Sequence, residues 1–133
     1  EPLAAAERYE PKARTWTALP SLARARFGCG AAAARGRVFV VGGYNVATSA
    51  DVEAFLPAAG AWESIAPLPT PRHRCGAAVA QGRLFVFGGS EGSGRELASV
   101  DCWDLAEERW ETNVAAAPMV RPCPCCLAVA VSM

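Results

Sequence analysis

The sequence predicts an all-β protein built from repeated four-stranded sheets. The stretch GRVFVVGG at residues 36–43 has a near copy, GRLFVFGG, at residues 82–89, which gives a period of 46 residues. Each copy is a short apolar run, rich in Val and Phe, that ends in a glycine pair, as expected for a buried strand followed by a sharp turn. Tryptophans recur at similar spacing, at positions 16, 62 and 110. Such a period is typical of architectures in which each unit packs on the next.

Other positions repeat with the same spacing. Three residue pairs lie 46 residues apart: Arg26 and Arg72, Cys29 and Cys75, Gly30 and Gly76. One further position is aromatic in each copy: Tyr9, Phe55 and Trp103. Because the two arginines recur with the repeat, we expect them to join neighbouring units rather than to contact a partner. We expect the repeated tryptophans to pack between units.

Residues 1–20 are predicted to be the outer half of one unit. Its strands are Ala6–Glu10 and Thr15–Ala18, with a proline-containing turn between them. Residues 26–66 are predicted to be a whole unit with four strands: Gly30–Ala34, Arg37–Val41, Asp51–Leu56 and Trp62–Ile65. The second strand lacks polar alternation, which indicates cover on both faces.

Residues 72–114 are predicted to repeat this unit. The expected strands are Gly76–Ala80, Arg83–Phe87, Ser99–Leu105 and Arg109–Val114. A Gly-rich loop at residues 90–95 connects the second strand to the third, and no helix follows it, so we interpret it as a flexible connection rather than a phosphate site. Residues 117–133 are predicted to begin a further unit, with an inner strand at Cys126–Val131.

These features together resemble the kelch repeat, a four-stranded blade of a β-propeller. The order of an arginine, an apolar strand, a strand ending in Gly-Gly, a third strand, a tryptophan and a proline turn occurs twice. The resemblance implies a partial β-propeller, with two whole kelch blades and partial blades at each end of residues 1–133. Because propellers usually close with about 4–8 blades, we expect the chain to be a fragment of a longer protein or gene product.

Composition restricts the kinds of partner. The 133 residues carry zero formal net charge, which gives no support for a nucleic-acid or anionic-membrane partner. No apolar run approaches the ~20 residues of a membrane helix.

We predict Cys29 and Cys75 to be small core residues. The cluster Cys123, Cys125 and Cys126 lacks the paired spacing of zinc modules. We therefore expect no metal, no cofactor and a reducing, cytoplasmic location.

Catalytic groups are scarce, and we expect the protein not to be an enzyme. His73 is the only histidine, and its neighbours Arg72 and Arg74 offer no carboxylate to orient it as a catalytic base. A small-molecule enzyme on the same fold is the third hypothesis, behind two kinds of binding protein.

The resemblance also implies where a partner binds. In kelch proteins similar to this one, peptide contacts come from the segment before the inner strand and from the residues after Gly-Gly. These positions map to the following residues: Phe27, Tyr44, Asn45, His73, Arg74, Ser90 and Glu91. Arg74 breaks the repeat, since Gly28 stands at the equivalent position, and its guanidinium suits an acidic side chain of a peptide. Tyr44 is expected to be an aromatic anchor.

The turn from Leu68 to Arg72 and the period look most like proteins that join BTB, BACK and kelch domains. In that family the kelch ring captures a substrate for a cullin-based ubiquitin ligase, and cullin binds only through a BTB domain, which this sequence does not contain. The alternative is a kelch scaffold that binds actin or another cytoskeletal protein. Both rest on analogy of fold.

Overall fold

The computed structural model describes residues 1–112, which form ten β-strands and no helix. The strands are β1 (Ala6–Glu10), β2 (Thr15–Leu19), β3 (Gly30–Ala34), β4 (Arg37–Val41), β5 (Val52–Leu56), β6 (Ala61–Ile65), β7 (Gly76–Ala80), β8 (Arg83–Phe87), β9 (Val100–Asp104) and β10 (Arg109–Thr112). The all-β prediction is therefore confirmed. Because residues 1–112 contain only strands and loops, no membrane-spanning helix is found among them.

The strands form three antiparallel sheets whose order follows the sequence. β1 and β2 form a hairpin, β3 to β6 form the first blade, and β7 to β10 form the second blade of a partial propeller. The predicted strands agree with these bounds to within one residue at each end. The last two residues of the predicted strand Arg109–Val114, and the whole of Cys126–Val131, lie outside the described residues.

The main core lies between the two blades. Its buried residues are Phe39, Val41, Val52, Ala54, Leu68, Cys75, Ala77, Leu84, Val86, Trp103 and Leu105. The register places Phe39 beside Ala54 and Val41 beside Val52 on one face of the first blade. This face meets Leu84, Val86 and their neighbours on the second blade. The inner strands β3 and β7 approach closely because glycine and alanine dominate both.

An aromatic pair recurs between the two outer strands of each sheet. Ring centroids are 5.1 Å apart in Tyr9–Trp16 and 5.2 Å apart in both Phe55–Trp62 and Trp103–Trp110. Trp62 Nε1 donates to Pro20 O, and Trp110 Nε1 donates to Ala66 O, each at 2.7 Å. Each bond ties a blade to the segment that leaves the preceding sheet.

Trp16 does not pack between blades as expected. Its exposed fraction is 66%. Trp62 and Trp110 each contact the segment that follows the preceding sheet, and residues 1–112 contain no sheet that precedes the hairpin and could cover Trp16 in this way. The repeat pattern identifies equivalent positions, but it does not say whether a neighbour is present at each of them.

Two buried arginines fix the segment that precedes each inner strand. Arg72 is fully buried; its Nη1 donates to Gly88 O at 2.8 Å and its Nη2 donates to Asp101 Oδ2 at 2.7 Å. Arg26 repeats this arrangement, donating to Gly42 O at 3.0 Å and to the buried carboxylate of Glu53. These side chains therefore bind within their own blade, contrary to the expectation that they join blades.

The backbone of Arg72, not its side chain, connects the blades. Its carbonyl accepts a bond from Gly43 N at 2.9 Å, and its amide donates to Ser49 O at 3.1 Å. Both partners belong to the loop of the first blade. One residue thus fixes its own blade through the guanidinium and holds the preceding blade through the peptide groups.

The two repeated cysteines differ in burial. Cys75 is 5% exposed and packs in the core between the blades, where burial raises the pKa of its thiol. Cys29 is exposed. Cys75 faces Val41 of the preceding blade, whereas within residues 1–112 the hairpin before Cys29 supplies only outer strands. The prediction of a core position is therefore confirmed for Cys75 and wrong for Cys29.

We predict that Arg72→Met destabilises the fold by about 3–5 kcal/mol, because Asp101 is left charged, buried and without its partner. Urea denaturation at pH 7 measures the loss. Arg83→Met is the control: its side chain is 39% exposed and its ion pairs are long, at 4.0 and 3.8 Å, so we expect less than about 1 kcal/mol.

The loss in Arg72→Met should shrink on acidification. Burial already raises the pKa of Asp101, and the Arg72 guanidinium opposes that rise. Without Arg72 the pKa rises further, so the folded variant binds more protons than its unfolded chain and gains stability as the pH falls. A loss equal to that of Arg83→Met, or one that does not change with pH, would contradict the role of this pair.

Candidate protein-binding site

The two predicted kinds of binding segment meet at one end of the blades, called the rim below. In the first blade Phe27 and Tyr44 form an antiparallel bridge, with N–H···O distances of 3.0 and 2.8 Å. In the second blade His73 and Ser90 do the same, at 3.1 and 2.9 Å. The segment before each inner strand is therefore joined directly to the residue after Gly-Gly.

A row of three aromatic rings crosses the junction of the blades at the rim. Ring centroids are 5.4 Å apart both from Phe27 to Tyr44 and from Tyr44 to His73. Thr48 Oγ1 lies 3.2 Å from His73 Nδ1, which fixes the imidazole on the loop of the first blade. Phe27 is 41% exposed, so the row offers apolar surface to a partner. Predicted residues from both blades thus form one continuous surface.

Arg74 lies beside this row with a constrained backbone and an exposed side chain. Its φ is 57°, in the left-handed region, and its amide donates to Gly28 O of the first blade at 2.6 Å. Among the ion pairs formed by residues 1–112, none includes Arg74. The backbone is held at the blade junction while the guanidinium remains available.

The other predicted residues differ in accessibility. Asn45 is exposed at the start of its loop. Ser90 is only 6% exposed, so it positions His73 through the backbone bridge and offers little surface. Glu91 pairs with Arg95 at 3.6 Å inside its own loop. The structure therefore concentrates the accessible groups in Phe27, Tyr44, His73, Arg74 and Asn45.

Sequence reasoning missed two rim residues. Val46 is 88% exposed at the tip of the loop of the first blade, and Thr48 holds His73. The available signal for Val46 was that it is the one large aliphatic side chain in the sequence of the loop after Gly-Gly, residues 44–51. Nothing in the pattern indicated Thr48, because its contact depends on how the two blades are juxtaposed. A groove of about 620 Å³ lies between this loop and residues 23–26.

The glycine pair permits the close approach that builds the rim. A Cβ on Gly42, whose φ is +63°, would lie 2.2 Å from Arg72 O. A Cβ on Gly43 would lie 3.1 Å from Phe27 O. Only glycine, which has no Cβ, can adopt this backbone conformation without a clash at so short a distance. The glycine pair is therefore needed for two reasons: the chain turns there at the end of the strand, and the backbone of the next blade packs directly against it.

Residues 1–112 contain no group of three metal-binding side chains. Cys29, Cys75 and Cys102 are free thiols. The predictions for Cys123, Cys125 and Cys126 lie outside the described residues. Among residues 1–112, the rim combines the aromatic row with the exposed guanidinium of Arg74, and aromatic and arginine side chains are enriched at protein interfaces.

The fold and rim define a repeat-built β-propeller module of the protein-interaction class. The family described as Kelch motif matches residues 25–69 and 71–112, and the chain belongs to the kelch-repeat family. It is also similar to an F-box/kelch-repeat protein of Arabidopsis thaliana, with 49% identity over 43 residues. That match covers 32% of this chain and 11% of the relative.

We predict that Gly42→Ala destabilises the junction of the blades by more than about 2 kcal/mol, since it adds a clash with Arg72 O to the strain of a left-handed alanine. Gly60→Ala is a matched control. Its φ is also +63°, but a Cβ there meets nothing within 4 Å, so only the ~1 kcal/mol of backbone strain is expected. Equal unfolding midpoints for the two variants would show that the contact with Arg72 is unimportant.

Proposed function

We propose that this chain recognises a protein partner at the rim, through Arg74 and the aromatic row of Phe27, Tyr44 and His73. The observation that carries the proposal is that these groups, drawn from two blades, lie together and are fixed by backbone bonds across the junction. Rigid scaffolds that hold exposed loop residues in place are the usual setting for binding sites. A preorganised surface also loses little entropy when a partner binds.

The chemistry of the rim favours an acidic peptide segment. Arginine presents a planar set of N–H donors that binds a carboxylate through two parallel bonds. The neighbouring rings supply apolar contact and, at Tyr44, a hydroxyl. Glu91 does not neutralise this surface, because Arg95 pairs with it. We therefore infer a partner with Asp or Glu opposite Arg74 and an apolar residue opposite the aromatic row.

We further propose that this recognition serves a cullin-RING ubiquitin ligase adaptor, with the kelch blades receiving the substrate. The similar Arabidopsis protein combines kelch repeats with an F-box by its name, and the sequence pattern resembles BTB–BACK–kelch proteins. In either arrangement the cullin contact would lie in another domain. The proposal includes a cytoplasmic location and no catalytic activity.

The adaptor role is tested by the sequence of the full transcript and by co-purification of the complete protein. An F-box or BTB segment in the same chain, with cullin co-purifying, would support the adaptor. Co-sedimentation of the complete protein with actin filaments, without cullin, would replace it with the cytoskeletal scaffold. Neither outcome depends on the residues that form the rim.

We predict that Arg74→Ala weakens the binding of an acidic peptide by about 1–3 kcal/mol, as for a lost charge-assisted hydrogen bond. The change is measured by fluorescence anisotropy with a labelled acidic peptide that has been selected for binding to the chain. Arg14→Ala is the matched control, because Arg14 is also exposed and has a similar φ of 55° but lies in the β1–β2 turn. Equal affinities for the two variants would remove Arg74 from the site.

A further inference from the structure

The groove between residues 23–26 and the loop at residues 44–51, called the loop groove below, adjoins the aromatic row of the rim. Its volume of about 620 Å³ lies within the range of roughly 300–1,000 Å³ typical of ligand sites. Tyr44 belongs to both surfaces, because it lines the groove and its ring is the middle member of the row. The groove and the row are therefore contiguous.

The charged side chains that line the loop groove are paired within the protein. Arg24 Nη1 lies 3.3 Å from Asp51 Oδ2. Arg26 is buried and bound to the carboxylate of Glu53. Among the described lining residues, each charge thus has an opposite partner, so the groove does not favour a charged ligand.

The hydroxyl groups of the lining are also engaged. Thr48 Oγ1 lies 3.2 Å from His73 Nδ1, and Ser49 Oγ accepts a hydrogen bond from Asp51 N at 2.9 Å. These side chains stabilise the loop and its contact with the second blade. What they leave for a ligand in the groove is mainly apolar surface.

This apolar surface consists of small residues and one exposed aliphatic side chain. Four alanines, at positions 23, 25, 47 and 50, line the groove together with Val46. Val46 is 88% exposed, and a partner that covers it would remove this surface from water. The alanines leave space that a larger side chain can fill. The lining therefore suits a large apolar side chain.

Backbone bonds hold this surface in place before any ligand binds. Ser49 N donates to Gly43 O at 2.8 Å, and Asn45 N donates to Ala47 O at 3.2 Å. These bonds fix the loop on both sides of Val46. A binding surface that is already ordered loses little entropy on association.

The repeat does not require an apolar tip on this loop. The equivalent loop of the second blade begins with the sequence SEGSGRE at residues 90–96, which has no aliphatic side chain. Both loops nevertheless follow a Gly-Gly pair and form the same bridge to the segment before the inner strand. The apolar lining is therefore a property of the first blade alone, as Arg74 is of the second.

We propose that the loop groove receives a large apolar side chain, such as Phe, of the same acidic peptide segment that binds Arg74. This inference rests on the proposed function and specifies the second anchor of the partner. The rings of Tyr44 and His73 are 5.4 Å apart, and Arg74 follows His73. Because an extended peptide spans about 3.3 Å per residue, the acidic residue and the apolar anchor should lie about two to four positions apart.

Matched peptides test the preference of the full chain. Each probe is an octapeptide of Gly and Ser, acetylated and amidated, with one Glu and one test residue, Ala or Phe, placed two, three or four positions from it on either side. We expect the best Phe peptide to bind about tenfold more tightly than its Ala counterpart in an NMR titration, as for partial burial of an aromatic ring. Equal affinities at every spacing, or no binding at millimolar peptide, would overturn the proposal.

Two variants then locate the side chain. Ala47→Leu fills the groove, and Ala59→Leu is the matched control, because Ala59 is also exposed but lies in the β5–β6 turn. In Ala47→Leu the Phe peptide should lose its tenfold advantage while the Ala peptide binds as before, and Ala59→Leu should change neither. A Phe advantage that survives in Ala47→Leu would place the ring on the aromatic row alone and overturn the proposal.

Arg74→Ala distinguishes a failure of this inference from a failure of the proposed function. If Arg74→Ala weakens both peptides and the chain does not prefer Phe, the acidic-peptide site is retained and the groove is overturned. If the Phe advantage is lost in Ala47→Leu but Arg74→Ala changes nothing, the groove is supported and the carboxylate contact is overturned.

Discussion

The structure depends on one buried ion pair that each blade repeats. In the first blade Arg26 binds Glu53, and in the second Arg72 binds Asp101, with both partners almost fully removed from solvent. Each guanidinium also binds the carbonyl of the first glycine of the Gly-Gly pair. An isolated charge is costly to bury. Each of the two described blades offsets this cost, because it supplies a carboxylate and a carbonyl to its arginine together. The pair thereby fixes the path of the chain as it enters the blade.

The geometry of the rim depends on these buried ion pairs. His73 and Arg74 follow Arg72 directly, so the anchored arginine sets where their side chains emerge. Its carbonyl holds Gly43 and its amide holds Ser49 of the neighbouring blade. The aromatic row and Arg74 therefore lie on backbone that is fixed from both sides. A repeat with an internal structural role can thus present an exposed surface that is not repeated, a few residues away.

Sequence alone predicted the strands well and the neighbours of individual side chains poorly. The apolar runs closed by Gly-Gly placed β4 and β8 without error, because periodicity and turn chemistry are local. The resemblance to kelch repeats, rather than the local pattern, implied that Phe27, Tyr44 and His73 lie at one end of the blades. Sequence alone could not predict the exposure of Trp16 and Cys29 or the contact of Thr48 with His73. Each of these depends on what packs opposite the residue, and a one-dimensional repeat does not contain that information.

We expect the rim to be held as firmly as the strands, and native-state hydrogen exchange of the full chain measures this at single amides. The two informative amides are Gly43, which donates to Arg72 O, and Arg74, which donates to Gly28 O, because both bonds cross the junction of the blades. We expect them to exchange with an opening free energy close to that of Val86 in β8. Exchange of either amide near the unprotected rate, while Val86 stays protected, would show a loose rim and contradict a preorganised binding surface.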